Sequence, residues 1–345
     1  MSGMISSGRA SERVPLYSVV PLDAPFTAGI SPSELCNFKC VYCNWGTPVG
    51  IPGATVMPWD DFVNIAAQLK ELYEKANCKC KNLRFNGNGE PLINPRIVEM
   101  VKHINNLDFA ERIEITTNAS LLTHELSDNL ISAGLTRLIV SIQGLNSERY
   151  QKVCGRGLDF HNFLSEIEYF YHLAQSFGGM CKVHIKTLDI ALETVEHPLF
   201  HQMFGAMCDT MNIENVMDSC VDVEYQSLFP EFSITRTRYG TEFVDRKCCD
   251  TLFYLMNILP NGNVNVCGCK WPPHVIGNLF EKPLTDIWNH GQHKKDMITH
   301  LKGNRETIQD CRDCSSILQY TMPEDNLDEH MDEILQRLMR KEQMK

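Results

Sequence analysis

Cys36-Asn37-Phe38-Lys39-Cys40-Val41-Tyr42-Cys43 puts three thiols into eight residues, at CxxxCxxC spacing. Three thiolates can hold three irons of a 4Fe–4S cube and leave the fourth iron without a protein ligand. Such an iron can bind a small molecule and the cube can pass it an electron, which a cube held by four cysteines cannot readily do. Two other uses of these residues stand beside that one. Zinc is one, although zinc cysteines usually come as CxxC pairs or as CxxC with a distant HxxxH. Burial of the thiols as small apolar groups is the other.

A second set lies near the C-terminus: Cys249, Cys267, Cys311 and Cys314, the last two as CxxC. Cys249 and Cys267 bracket Pro260-Asn261-Gly262-Asn263, a turn between two apolar runs that predicts a hairpin. Four thiolates gathered from a hairpin and a later CxxC can complete either a cube or a tetrahedral zinc site. Cys248 can stand in for Cys249, and Cys269 for Cys267. Of the remaining cysteines, Cys78, Cys80, Cys154, Cys181, Cys208 and Cys220, most read as small apolar fillers. His172, His184, His201 and His274 sit in no metal spacing and read as structural or surface residues.

The bulk composition fits such chemistry. The 345 residues carry a formal charge of −11, 43% hydrophobic and 22% charged residues, and 15 cysteines. The acidic balance argues against a nucleic-acid partner, which needs a basic face for phosphates, and disfavours an anionic membrane surface, although it leaves room for a local basic patch. Residues 1–19 are polar and lack the apolar core of a signal peptide. No apolar run of about 18 residues is present to span a bilayer. A cytoplasmic location with reduced cysteines ligating metal is the expectation, and oxygen sensitivity follows from it.

Strand and helix signals alternate to position these residues. Strands are expected at 26–31, 83–85, 113–117, 137–142, 182–187 and 210–214. Helices are expected at 59–75, 96–104, 124–132, 147–153, 160–177 and 199–207. Apolar spacing of Phe62, Ile65, Ala66, Leu69, Leu72 and Tyr73 marks the first helix, and Gly134 closes the third. Alternation of this kind predicts βα units on a parallel sheet. Residues 1–25 read as a loosely ordered arm, 217–246 as irregular, 284–288 and 293–301 as short helices, and 324–343 as a terminal helix. The domain division expected is an arm at 1–25, a βα unit at 26–216, a cysteine-bearing unit at 217–322 and a helix at 323–345.

With the triplet and the alternation in view, the chain resembles the radical S-adenosylmethionine (radical SAM) family. Further motifs carry the likeness. Gly87-Asn88-Gly89-Glu90-Pro91 follows the second strand and is similar to the family's Gly-Gly-Glu-Pro, with Asn88 replacing the first glycine. The resemblance implies that Gly89 and Glu90 contact the methionine part of SAM, that Asn118, Ser141 and Gln143 at strand ends meet its ribose and carboxylate, and that Tyr42 lies near adenine. It also implies a fold: α/β, a partial (β/α)6 TIM-like barrel with a small C-terminal extension. The second cysteine set resembles the shortened twitch form of the SPASM extension, because no further cysteine follows Cys314. That implies two 4Fe–4S clusters, one binding SAM and one auxiliary, closed and suited to electron transfer.

The function so implied is reductive cleavage of SAM to a 5′-deoxyadenosyl radical, hydrogen abstraction from a small sugar- or aminocyclitol-like molecule, and oxidation aided by the auxiliary cluster. The cysteine spacing is similar to that of aminocyclitol dehydrogenases. A flavodoxin- or ferredoxin-type reductant is the implied electron donor. Alternatives are a sugar epimerase or dehydratase, a maturase of ribosomal peptides, and a non-catalytic cluster protein. A molybdenum-cofactor synthase is disfavoured, because Gln343-Met344-Lys345 replaces its terminal Gly-Gly. Cys220, just past the last barrel strand, is the candidate hydrogen donor, with Cys154 second. Lys186, Arg156 and Glu214 are the candidate bases, and the loops 46–58, 154–160 and 217–246 are the expected specificity loops.

Overall fold

A computed structural model describes residues 3–6, 13–87, 89–218, 220, 222–228, 235–268, 272–319 and 322–343. Its strands are β1 (Met4–Ile5), β2 (Thr27–Ile30), β3 (Asn82–Phe85), β4 (Ile113–Thr117), β5 (Arg137–Ile142), β6 (Lys182–Leu188), β7 (Thr210–Glu214), β8 (Leu255–Ile258), β9 (Asn263–Asn265) and β10 (Val275–Asn278). They form one ten-stranded sheet in the order β1-β7-β6-β5-β4-β3-β2-β8-β9-β10. All pairs from β1 to β8 are parallel, and β8-β9-β10 close the other edge as an antiparallel meander. The six strands β2 to β7 are joined by α1 (Trp59–Lys75), α2 (Ile97–Leu107), α3 (His124–Ser132), α4 (Ser147–Cys154), α5 (Phe160–Ser176) and α6 (His197–Phe204). This is the α/β, partial (β/α)6 barrel expected, with a C-terminal extension.

Strand alternation separates core from lumen. On β5, Leu138 and Val140 are fully buried away from the central cavity, whereas Arg137, Ile139 and Ser141 line it. Glu114 and Thr116 on β4, and His184, Lys186 and Leu188 on β6, face the same cavity. The helices close over the outer face. Phe62, Ile65, Leu69 and Tyr73 of α1, and Met100 and Ile104 of α2, are buried there, each full burial stabilising the fold by about 1.5–3 kcal/mol. The cap residues Thr123, Asn146 and Asp159 start α3, α4 and α5 by accepting backbone N–H bonds, and Gly155, at φ +68°, ends α4 in a left-handed turn.

Three sequence expectations are corrected. The arm at 1–25 is not loose where it is described. Leu16, Val20 and Ala24 are buried, Arg13 pairs with the buried Asp325 at 2.5 Å, and Tyr17 stacks on His330 at 3.5 Å. The terminal helix begins at Met331 rather than 324. Asn326 takes the N–H of Asp328 (3.0 Å), and the Asp328 carboxylate takes those of Lys247 (2.8 Å) and Cys248 (3.0 Å), so this segment bonds outward in short 3-10 turns. The expected hairpin, β8–β9, gains a third strand, β10, which is too short for a visible alternation.

The parallel pairing of β8 with β2 was not expected at all. Its register runs from Thr27 opposite Leu255 to Ile30 opposite Ile258, and Ser31 N–H extends it to the Ile258 carbonyl at 2.9 Å. The strand that leads into Cys36 and the strand that follows Cys249 are therefore hydrogen-bonded neighbours.

Candidate active site

The loop after β2 carries Cys36, Cys40 and Cys43, and three contacts fix its shape. Asn118, at the end of β4, donates to Asn37 Oδ1 at 2.9 Å, and Asn37 donates to Ser120 Oγ at 2.7 Å. The last carbonyls of α4 take its other side: Lys39 N–H bonds to Cys154 O and Val41 N–H to Val153 O, both at 2.9 Å. Tyr225 donates to the Tyr42 carbonyl at 3.1 Å. Burial pushes the thiols of Cys36 and Cys43 up to about 12, and the Cys154 sulfur 3.7 Å away, together with burial, raises that of Cys40. These thiols hold their protons at neutral pH, so a metal must displace them on binding.

Gly89 and Glu90 abut the same loop. A Cβ on Gly89 would collide with the Ser33 and Leu35 carbonyl oxygens, so the glycine permits two backbones to touch, and Glu90 N–H bonds to Leu35 O at 2.8 Å. The buried Glu90 carboxylate accepts from Leu92 N–H (3.0 Å), Thr117 Oγ1 (2.6 Å) and Asn118 N–H (2.7 Å). Desolvation raises its pKa to about 6 in spite of these bonds. Its oxygens bond within the protein, tying the glycine turn to β4.

A cavity of about 430 Å³ opens from this loop into the barrel. Cys36, Cys40, Cys43, Tyr42, Gly89, Glu90, Asn118, Ser141, Gln143 and Cys220 all line it. The structure thus brings these candidates to one cavity. Gln143 Oε1 is buried there without a hydrogen-bond partner, an acceptor suited to a ligand amine or hydroxyl. Three cavity-facing thiols with this acceptor fit a cluster and a SAM-like ligand. Cys220 lies near enough to raise the Cys43 pKa. Cys154 is buried beside Cys40 and is not among the lining residues.

Several lining residues escaped the sequence reading. Deeper in the barrel Glu114, 2% exposed, faces Arg84 at 3.2 Å and Arg137 at 3.5 Å. His184 bonds to Thr210 Oγ1 at 2.8 Å, and burial lowers its pKa to about 4, so it is neutral. At the β7 end, Glu214 takes Lys186 at 3.0 Å and Arg238 at 2.6 Å on the same oxygen. Those two cations outweigh desolvation and hold its pKa at about 2. Arg156, offered as a base, is exposed after α4 and lines no part of the cavity. The inward alternation of strand residues was the available signal for Arg84, Glu114, Arg137 and His184.

In the C-terminal extension, Cys249 is influenced by the thiols of both Cys267 and Cys314, and burial drives its pKa up strongly. Cys311 sits one turn before Cys314, whose N–H bonds to its carbonyl at 3.3 Å. Cys248 points instead into the hydrophobic core, and Cys269 lies outside the described residues. His274 N–H donates to Cys267 Sγ at 3.2 Å, and Asn257 donates to Cys267 O at 2.9 Å. Among the described residues no three Cys, His, Asp or Glu side chains converge on a point that would hold a single ion. A cube binds each thiolate at a different iron and has no need of such a point. A smaller cavity of about 150 Å³ is lined by Cys267, Gly268, Asn257 and Asn265, and it shares Asn86, Gly87 and Gly268 with the large one.

Comparison with known proteins accords with this geometry. Residues 30–196 match the Radical SAM superfamily model, and residues 248–315 match the SPASM iron-sulfur cluster-binding domain. GTP 3′,8-cyclase of Staphylococcus haemolyticus is 31% identical over 161 residues, 45% of this chain and 44% of that protein. The chain thus spans under half the length of the curated relatives it matches. Solved structures share the fold. BtrN in complex with AdoMet and 2-DOIA aligns with TM-score 0.52 at 16% identity, over 84% of this chain and 92% of that one. Streptococcus suis SuiB bound to precursor peptide SuiA gives TM-score 0.55 at 18% identity, over 79% and 66%. No described helix is long and apolar enough to cross a membrane. A radical SAM domain binds SAM and a 4Fe–4S cluster, and a SPASM domain binds auxiliary clusters. With both models matched over more than half of its length, the chain belongs to the radical SAM superfamily and carries a C-terminal SPASM domain.

Proposed function

We propose that this enzyme cleaves SAM reductively to a 5′-deoxyadenosyl radical, abstracts hydrogen from a small sugar- or aminocyclitol-like substrate, and oxidises it with the auxiliary cluster as electron acceptor. The observation that carries this reading is the joined pair of cavities. One is bordered by Cys36, Cys40 and Cys43 and the other by Cys267, and they meet at Asn86, Gly87 and Gly268. A substrate at that junction stands between the two cysteine sets. Cys36, Cys40 and Cys43 would hold the SAM-binding cluster, and Cys249, Cys267, Cys311 and Cys314 the auxiliary one. Tyr42, Gly89, Asn118, Ser141 and Gln143 would line the SAM pocket, with Glu90 keeping the glycine turn and β4 in register. A flavodoxin- or ferredoxin-type protein is the proposed reductant.

The residues of the barrel would bind and orient the substrate. Glu214, held ionised by Lys186 and Arg238, suits acceptance of a hydroxyl hydrogen bond better than removal of a proton, since a carboxylate held at about 2 is a weak base. Lys186, the other base candidate that faces the cavity, is held as a cation by Glu214 and suits donation of a hydrogen bond to a substrate oxygen. Oxidation of a carbinol to a ketone removes one hydrogen atom, one proton and one electron. The test is an anaerobic incubation with SAM, reductant and deuterated sugars or aminocyclitols. Deuterium in 5′-deoxyadenosine and a product two hydrogens lighter are expected. Deuterium transfer to 5′-deoxyadenosine from a ribosomal peptide, with none from the small molecules, overturns the substrate class. Epimerisation is the second reading, favoured by Cys220 in the cavity wall. It predicts a product in which one solvent hydrogen replaces the abstracted deuterium, a product lost in Cys220→Ala while hydrogen abstraction persists.

A further inference from the structure

Cys154 is buried as a filler cysteine would be, but it does not face the cavity as a hydrogen donor to substrate would. It is 1% exposed at the last turn of α4, outside the cavity wall, and its Sγ lies 3.7 Å from Cys40 Sγ. The approach is built by backbone: the carbonyls of Val153 and Cys154 hold Lys39 and Val41 N–H, the residues flanking Cys40. Asn146 caps the start of α4 and Gly155 terminates it in the left-handed region, so the end of this helix is fixed against the cysteine loop.

Proton accounting sets the direction of the Cys154–Cys40 contact in the cluster-bound enzyme. A sulfur that ligates iron has lost its proton and can only accept. The hydrogen between the two sulfurs must then belong to Cys154. We infer that Cys154 S–H donates a hydrogen bond to the Cys40 thiolate and so sets the reduction potential of the SAM-binding cluster. Donors to ligand sulfur draw charge from the cluster and favour its reduced form. Cys154 is thus a positioning and tuning residue, not a ligand and not a hydrogen donor to substrate. The inference rests on membership of the family and stands whatever the substrate.

The test is a potentiometric titration of anaerobically reconstituted full-length enzyme, followed by electron paramagnetic resonance. The SAM-binding cluster is identified as the one whose signal changes when SAM is added. Cys154→Ala is expected to keep its iron and to weaken one-electron reduction of that cluster about fivefold. That is about 40 mV toward negative on a scale of 59 mV per tenfold, the size of one modest hydrogen bond. Cys154→Ser, which retains an O–H donor, is expected to stay near wild type. An unchanged potential in Cys154→Ala, or an equal shift in both variants, overturns the inference and leaves Cys154 as packing. Should Cys154→Ala fail to fold, the infrared S–H band assigned by its loss in Cys154→Ser decides the matter. A shift to lower frequency when the cluster is loaded supports the bond, and an unshifted band refutes it.

Discussion

Glu90→Gln tests how the glycine turn is held. In the native protein the carboxylate is 2% exposed, accepts three hydrogen bonds, and has a pKa raised from 4.5 to about 6 by desolvation. A folded-state pKa above the unfolded value means that the folded protein binds the proton more tightly. The stabilisation it contributes is complete below pH 4.5 and is lost as pH rises through 6. A shift of about 1.5 units corresponds to about 2 kcal/mol, most of it appearing between pH 6.5 and 4.5. The amide cannot titrate. At neutral pH it escapes the cost of a buried charge but turns an NH₂ toward a donor, such as Asn118 N–H, so the two effects of about 1–3 kcal/mol oppose one another. Urea unfolding of both proteins at pH 7.0, 6.0, 5.0 and 4.5 separates them. Wild type should gain about 1.5 kcal/mol on the variant from pH 7 to 4.5. Parallel pH dependences for the two proteins would show that Glu90 is not desolvated as the structure has it.

Two further perturbations address neighbouring parts of the site. Gly89→Ala forces a Cβ into the Ser33 and Leu35 carbonyls, and backbone cannot yield as a side-chain tip can. A loss of about 2–3 kcal/mol in urea unfolding is expected, together with loss of about four irons per chain after reconstitution; full iron retention would contradict the contact. Glu214→Gln removes the shared partner of Lys186 and Arg238 and should cost about 3 kcal/mol at pH 7. Because the native pKa is depressed, that difference should stay flat above pH 5 and shrink as pH falls from 4.5 toward 2; denaturant midpoints along the pH series check both statements.

Much of the barrel was legible because its signals are local. Inward and outward alternation on strands such as Arg137–Ile142, and helical spacing on Trp59–Lys75, are set by neighbours in sequence. The cysteines were legible because thiols at CxxxCxxC and CxxC spacing have few other uses. What stayed hidden depends on residues far apart in the chain. Nothing in Leu255–Ile258 announces a parallel partner at Thr27–Ile30. No local pattern places Cys154 against Cys40, 114 residues away. Gly89 lines the cavity, but no local pattern shows that it also lets the backbone of Ser33 and Leu35 come close. Asp328 falls inside the terminal helix expected at 324–343, and nothing local shows that its carboxylate holds the N–H groups of Lys247 and Cys248.

The proposed function needs both cysteine sets to hold clusters that face one substrate space. Iron and sulfide per chain, measured after anaerobic reconstitution of wild type and of the Cys36→Ala, Cys40→Ala, Cys43→Ala triple variant, tests it most directly. At about four irons per cube, about eight irons in wild type falling to about four in the variant is the predicted result. About four falling to none would contradict it, leaving Cys249, Cys267, Cys311 and Cys314 without a cluster and the proposed oxidation without its electron acceptor.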